Sequence, residues 1–218
     1  YEIEAELMHE FLRNRSKGFA YTPIIASGEN ANVLHYIANN MQCKDGDVIL
    51  LDIGAEYANY SSDLTRMIPV NGKFTARQKE IYNAVLDMKN FATSLLVPGN
   101  NWYDYHKECG EFYTSKFLEL GLLDKADVQN QDKNWPAYKK YMMHGTSHHL
   151  GLDTHDYGIL KDKFVENMVF TVEPGIYLPA EGFGVRIEDD LVIQNSGPAF
   201  NLMKNIPIEV EEIEELMN

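Results

Sequence analysis

The sequence predicts a single α+β domain, and three observations support this. Its 218 residues, of which 44% are hydrophobic and 24% are charged, suffice for one buried core with a charged surface. Strand-like and helix-like segments follow one another without the regular strand–helix–strand rhythm of a doubly wound sheet. Each half of the chain also contains a pair of predicted strands that carries two acidic residues.

The first elements are a helix and a strand pair. Residues 2–15 place apolar side chains at every fourth position, which is typical of an amphipathic helix. Residues 48–53 form a short run of branched apolar residues and are predicted to be a buried strand. Residues 63–70 are expected to be its hairpin partner, across a turn near residues 58–60.

Two longer helices come next. Thr75 and Gln78 have the spacing of a capping box, which predicts the start of a helix that Pro98 and Gly99 would stop. A second helix is predicted from about residue 102 to residue 120, and the glycine that follows it is a suitable cap.

The second half is expected to begin with a long irregular loop. Residues 124–140 are polar and show no periodicity. Residues 168–172, 184–187 and 191–193 are predicted to be three strands, and residues 209–217 a short acidic helix.

Composition disfavours several classes of partner. The chain has 33 acidic and 19 basic residues, a net charge of −14, and would be repelled by nucleic acids and anionic membranes. Its two cysteines are too few for a disulfide framework and suit a cytoplasmic location. Because the first residue is Tyr1, we expect the C-terminal part of a longer protein, whose N-terminal domain is absent from this chain.

Four acidic residues in the predicted strand pairs indicate a shared site. These are Asp52 and Asp63 in the first half and Glu173 and Glu188 in the second. A carboxylate within an apolar strand costs free energy unless it is paired or binds a cation. Any one of them alone could reach solvent at a strand end, but two divalent cations would neutralise all four.

Histidines supply the remaining ligand in this hypothesis. Four of them lie within residues 144–155, a stretch rich in glycine and serine. A metal site formed by His148 and mainly oxygen ligands indicates Mn²⁺, Co²⁺, Fe²⁺ or Zn²⁺, and disfavours a zinc site with thiolate ligands. His9 and His106 lie on predicted helices and are expected to be ordinary hydrogen-bonding residues.

These motifs resemble those of the pita-bread metallopeptidases, in particular the Xaa-Pro aminopeptidase (aminopeptidase P) and prolidase group. The matching segments follow the family's order along nearly the whole chain: residues 28–36, 51–66, 144–156, 171–177 and 184–190. The resemblance implies one catalytic domain over residues 1–218 with the pita-bread fold. In that fold a curved antiparallel sheet has helices packed outside it and two halves related by a pseudo-twofold axis.

The resemblance also implies roles for particular residues. Five match the ligands of two divalent metal ions, with manganese favoured over cobalt, iron or zinc: Asp52, Asp63, His148, Glu173 and Glu188. Five match catalytic positions: His35, His144, His155, Glu173 and Arg186. Glu181 matches no such position and is expected to be a solvated loop charge.

The implied activity is release of the N-terminal residue from a peptide whose second residue is proline. A hydroxide bridging two metal ions would attack the carbonyl, and Glu173 would act as the general base. His155, with His144, would stabilise the oxyanion. Arg186 would hold a ligand carboxylate or the substrate backbone, and Tyr177 is a candidate wall for the proline ring.

Three alternatives are open at this point. A prolidase, which cuts only dipeptides, would share these motifs. A methionine aminopeptidase would share the fold, but the histidine pattern and Arg186 fit the proline-specific branch better. A non-catalytic pita-bread binding module would have lost metal ligands, whereas all five are present here. The resemblance further implies a homodimer.

Overall fold

The computed structural model describes residues 1–217, which form five α-helices and eleven β-strands. The helices are α1 (Glu2–Arg13), α2 (Ala76–Ser94), α3 (Trp102–Glu119), α4 (Lys125–Gln129) and α5 (Val210–Leu216). The strands are β1 (Gly18–Phe19), β2 (Ile24–Ser27), β3 (Val48–Ile53), β4 (Ala55–Tyr57), β5 (Tyr60–Ser61), β6 (Leu64–Pro69), β7 (Val169–Val172), β8 (Gly175–Leu178), β9 (Phe183–Arg186), β10 (Asp189–Val192) and β11 (Phe200–Asn201).

The strands pair antiparallel in four small sheets, ordered β1-β4-β5, β2-β3-β6, β11-β10-β7 and β8-β9. The predicted partnership of β3 with β6 is confirmed over all six residues of each strand. Their connection is more than a turn, because it folds into the β4–β5 hairpin. Ala58 and Asn59 form its two-residue loop with φ of 52° and 70°, the left-handed geometry that suits the twist of a hairpin.

The β2-β3-β6 sheet is covered on both faces, which explains the continuous apolar run in β3. Val48 and Leu50 face the main core, whereas Ile49 and Leu51 face a smaller cluster completed by α1. Helices α2 and α3 pack together, and Phe91 stacks on Phe112 with 4.2 Å between ring centroids. Within the described residues, no helix is both long and apolar enough to cross a bilayer.

The predicted helix starts and stops are largely confirmed. Thr75 and Gln78 form the reciprocal capping box of α2, although the helix already ends at Ser94. Helix α3 ends just before Gly121, which has φ of 66°. The acidic helix near the C-terminus is α5.

The expectation of an irregular loop over residues 124–140 is wrong in part. Asp124 and Asp127 cap each other's backbone N–H groups and start α4, and residues 137–140 form a 3₁₀ turn. This capping box was missed because aspartate takes the place of the usual glutamate or glutamine.

Six of the eleven strands in the described residues were not predicted: β1, β2, β4, β5, β8 and β11. Strands β2 and β8 are buried at all four of their positions, so neither shows the alternation that marks a half-buried strand. In the second half, β10 pairs with β7, and β9 pairs with the unpredicted β8.

Candidate metal centre

All nine predicted site residues line one cavity of about 850 Å³. They are His35, Asp52, Asp63, His144, His148, His155, Glu173, Arg186 and Glu188. The residues come from both halves of the chain, and their convergence is a consequence of strand pairing.

Strand geometry explains where three of the four acids lie. In β3 the side chain of Asp52 is on the same face as Val48 and Leu50, so it emerges where the core ends. In the second half, Val172 of β7 pairs with Asp189 of β10. Glu173 and Glu188 are one residue beyond that pair, and they therefore meet at the same end of the ladder.

His148 projects one ring nitrogen toward these acids. Its Nε2 is 3.5 Å from Oδ2 of Asp63 and 3.7 Å from Oε1 of Glu173. Its Nδ1 is 2.9 Å from the carbonyl oxygen of His149 and donates a hydrogen bond to it, which leaves Nε2 to face the cavity. Candidate ligand atoms of Asp63, His148 and Glu188 all lie within 4.8 Å of one another.

Asp52 and Asp63 are oriented by two further side chains. The hydroxyl of Tyr21 is 2.5 Å from Oδ1 of each aspartate, and Nη2 of Arg186 donates to Oδ2 of Asp52 at 2.5 Å. The role of Arg186 in holding a carboxylate was expected, but Tyr21 was missed. A Cβ at Gly54 would clash with the Ser62 carbonyl oxygen and lie 2.7 Å from the Tyr21 ring, so this glycine lets both approach the backbone closely.

The acids lack sufficient counter-charge from the protein. Five carboxylates line the cavity, those of Asp153 and of the four predicted acids, with one guanidinium, that of Arg186. Burial and the neighbouring acids raise the pKa of Glu188 well above its usual range, and burial raises the pKa of Glu173 to about 7. Burial also raises the pKa of Asp52 despite Arg186.

This shortage of positive charge around the acids indicates that the site binds divalent cations. Ionised carboxylates crowd together at little cost only when a cation binds among them. Burial would lower the pKa of His148, but the nearby carboxylates of Asp63 and Glu173 outweigh it and raise that pKa. Oxygen atoms with one imidazole form a donor set suited to Mn²⁺, Co²⁺, Fe²⁺ or Zn²⁺.

His144 has a protein partner on each ring nitrogen. Nδ1 donates to the carbonyl oxygen of Gly145 at 2.7 Å, and Nε2 accepts from the Tyr177 hydroxyl at 2.7 Å. Arg186 donates to that hydroxyl at 2.9 Å. Burial and the charge of Arg186 lower the pKa of His144 to about 3, so the ring is neutral. The expectation that Tyr177 walls a proline pocket is wrong, because its side chain is fully buried beneath the cavity.

His155, His35 and Glu181 lie in three different environments. The His155 ring is 4.4 Å from that of His148 and makes no hydrogen bond to the described part of the chain. His35 is exposed on a turn beside the cavity. Glu181 lies elsewhere and pairs with Arg77 on the surface of α2.

Comparison with known proteins now identifies the family. Residues 1–195 match the family model described as Metallopeptidase family M24. The chain belongs to this family. The Xaa-Pro aminopeptidase of Haemophilus influenzae is 43% identical over 230 residues, an alignment that covers 100% of this chain and 53% of that protein.

Solved structures of M24 relatives agree with this assignment. Zinc-substituted aminopeptidase P from Escherichia coli in complex with product matches with a TM-score of 0.90 and 39% identity, over 100% of this chain and 51% of that one. The E. coli enzyme with the inhibitor Pro-Leu matches with the same score and identity, over 52% of its chain. The predicted pita-bread fold is confirmed, and the chain spans about half the length of the relatives it matches.

Proposed function

We propose that this M24 domain is a dinuclear metallo-aminopeptidase that releases the N-terminal residue from peptides with proline second. The observation that carries the proposal is the convergence of Asp52, Asp63, Glu173, Glu188 and His148 on one cavity with a single guanidinium. The Xaa-Pro aminopeptidase relatives support the substrate class. The inhibitor Pro-Leu begins with proline, as does the product left by cleavage before a proline.

The metal ions would be held by those five side chains, and we propose manganese as the native metal. When bound, two divalent ions supply a nucleophile from water at neutral pH and polarise the scissile carbonyl. A proline nitrogen carries no hydrogen in the peptide and must gain a proton as it leaves. The protein therefore needs a group that moves one proton across the cavity.

Glu173 is suited to that transfer. It lines the cavity, and its Oε1 lies 3.7 Å from Nε2 of His148, among the proposed metal ligands. A carboxylate positioned beside the reacting water can act as the general base that accepts its proton. We assign to Glu173 the acceptance of a proton from water and its delivery toward the proline nitrogen.

The two histidines differ in what they offer. Burial lowers the pKa of His155, so its neutral ring has an N–H available to the oxygen of a substrate carbonyl as negative charge develops there. His144 has no free ring nitrogen in this structure. We therefore propose that His155 stabilises the oxyanion and that His144 supports the Tyr177–Arg186 contact.

The cavity also provides an apolar surface for a ring. Leu34 and Ile37 line it beside His35, and these three side chains are the proposed contacts of the substrate proline. We further propose that residues 1–218 act as the catalytic domain of a longer protein. Homodimer formation and a cytoplasmic location stay predictions.

A peptide assay tests the proposal. Metal-free protein is incubated with Ala-Pro-Ala, Ala-Ala-Ala or the dipeptide Ala-Pro, with and without Mn²⁺, and free alanine is measured. We expect Mn²⁺-dependent release from Ala-Pro-Ala that Asp63→Asn abolishes. Cleavage of the dipeptide alone would establish a prolidase instead, and failure of metal-loaded protein to cut any peptide would contradict the proposal for this chain.

A further inference from the structure

A second buried charge cluster lies directly behind the candidate metal centre. The Arg66 cluster, as we call it, consists of Arg66 on β6, Lys89 on α2 and Asp189 on β10, all of them buried. Nη2 of Arg66 donates to Oδ1 of Asp189 at 2.6 Å, and Lys89 pairs with Oδ2. None of the three lines the cavity.

Arg66 does more than pair with an acid. Its Nη1 donates to the carbonyl oxygen of Glu188 at 2.7 Å and to that of Thr65 at 3.0 Å, and its Nε donates to the carbonyl oxygen of Pro207 at 2.9 Å. Each guanidinium nitrogen therefore has a protein partner. The planar fork of arginine makes several such bonds at fixed angles, which a lysine cannot reproduce.

Glu188 is consequently held at three points by two consecutive residues of β6. Its backbone N–H donates to the Thr65 carbonyl at 3.1 Å, and its carboxylate accepts from the Thr65 hydroxyl at 2.6 Å. The third point is its own carbonyl oxygen, bound by Arg66. Strand β6 belongs to the first half of the chain and Glu188 to the second, so these bonds join the halves at the site.

We propose that Arg66 is a positioning residue that fixes the Glu188 peptide against β6, and so aims the Glu188 carboxylate at the atoms of Asp63 and His148. The inference rests on the proposed function, since it concerns the same metal site. Without the guanidinium, the Glu188 carbonyl would be a buried acceptor without its charged donor. Residues that orient metal ligands typically contribute about 10–100-fold to metal affinity.

Lys89 offers a matched control. Arg66 and Lys89 each contribute one buried positive charge to the same carboxylate, that of Asp189. Removal of either leaves Asp189 paired with the other, so Arg66→Met and Lys89→Met change the net charge of the cluster equally. Of the two side chains, Arg66 is the one bonded to Glu188.

The test compares Mn²⁺ binding by calorimetry and the free energy of unfolding in urea for Arg66→Met, Arg66→Lys and Lys89→Met. We expect Arg66→Met to raise the Kd for Mn²⁺ by about 10–100-fold and Lys89→Met by less than about threefold. Arg66→Lys keeps the charge but is expected to recover little of the affinity. If Arg66→Met does not fold, Arg66→Lys is compared with Lys89→Met in the same way.

Two results would overturn the inference: a wild-type Kd in the arginine variants, or equal losses of affinity in the arginine and lysine variants. The second would indicate a general loss of stability or of charge. Because calorimetry measures metal binding directly, the outcome does not depend on whether the wild-type protein cleaves Ala-Pro-Ala. Wild-type protein that binds Mn²⁺ but does not cleave Ala-Pro-Ala would count against the proposed function and leave this inference testable.

Discussion

Glu188 and Asp189 are neighbours in the sequence and both are buried, yet their electrostatic surroundings are opposite. Glu188 faces other acids, and burial together with their charges raises its pKa well above the usual range. Asp189 faces Arg66 and Lys89, which hold its pKa below the usual value although burial opposes them. Successive side chains in extended backbone point to opposite sides, which is how adjacent acids reach different environments.

The difference shows how a buried acid with a structural role can be told from one placed to bind a cation. Asp189 is supplied with cations by the chain itself, and it ties β10 to β6 and α2. In the cavity that the Glu188 carboxylate faces, the chain supplies several acids and one arginine, Arg186. The missing positive charge there must come from solution if all the acids are to be ionised.

Removal of a ligand acid should have the largest effect. We expect Asp63→Asn to weaken Mn²⁺ binding and to lower the rate of Ala-Pro-Ala cleavage by more than about 100-fold, since loss of a ligand should exceed the effect of losing a residue that only orients one. Calorimetry and the peptide assay measure the two quantities. Glu181→Gln, outside the cavity, is the control, and an Asp63→Asn protein with normal metal binding would refute the site.

The two neighbouring acids should respond in opposite ways to loss of charge in metal-free protein. Asp189→Asn leaves two buried cations without their carboxylate and is expected to lower the free energy of unfolding by about 3–5 kcal/mol. Glu188→Gln removes repulsion between acids and is expected to change it by less than about 1 kcal/mol or to raise it. Urea denaturation measures both, and similar losses in the two variants would contradict the comparison.

Stability of the metal-free protein should fall as pH rises from about 6.5 to 8. Burial raises the pKa of Glu173 to about 7 and that of Asp190 to about 8, so both bind more protons in the folded state than in the unfolded state over this range. The raised pKa of His148 acts in the same direction. Burial lowers the pKa of His144 to about 3 and also lowers that of His106, His149 and His155, which has the opposite effect; that effect fades as pH rises above the ordinary histidine pKa of about 6.5.

Each proton gives a slope of up to about 1.4 kcal/mol per pH unit. The measurement is urea unfolding with a chelator at several pH values, and Glu173→Gln should reduce the slope. Bound Mn²⁺ should flatten it, because the acids are then ionised in the folded state. A free energy of unfolding that rises with pH over this range would contradict the raised pKa values of these acids.

A surface ion pair should have the smallest effect. Arg77 pairs with Glu181 at 2.7 Å, but both side chains are about one-third exposed. Solvent screens such pairs, and we expect Glu181→Gln to change the free energy of unfolding by less than about 0.5 kcal/mol. Urea denaturation of Glu181→Gln and of Asp189→Asn under the same conditions tests whether burial, rather than ion pairing itself, makes the difference. A loss of more than about 2 kcal/mol of unfolding free energy in Glu181→Gln would contradict that explanation.

Helices and strands that carry a local sequence signal, such as a capping pair or an apolar run, were predicted correctly. The capping pair Thr75 and Gln78 gave the start of α2, and the branched run at residues 48–53 gave β3. Strands β2 and β8 are buried throughout and carry no periodic signal, so they were missed. The aspartate capping box of α4 was missed because it departs from the usual composition.

The candidate site could be predicted where a polar residue stands out from its surroundings. Asp52 does so because it lies within an otherwise apolar strand. Tyr21 and Arg66 do not, since each is an ordinary polar residue whose role depends on distant partners. The Tyr21 hydroxyl meets Asp63, 42 residues away, and Arg66 binds a carbonyl 122 residues away. Such contacts are set by the tertiary fold and leave no local pattern.

One titration decides whether these acids form a metal centre. Metal-free protein is titrated with Mn²⁺ at pH 7.5 in buffers of different ionisation enthalpy, which yields the number of ions and of protons released. We predict two ions per chain with net proton release, because without metal burial raises the pKa of Glu173 to about 7 and that of Glu188 well above its usual range. Absence of binding, or binding that persists unchanged in Asp63→Asn and Glu188→Gln, would contradict this.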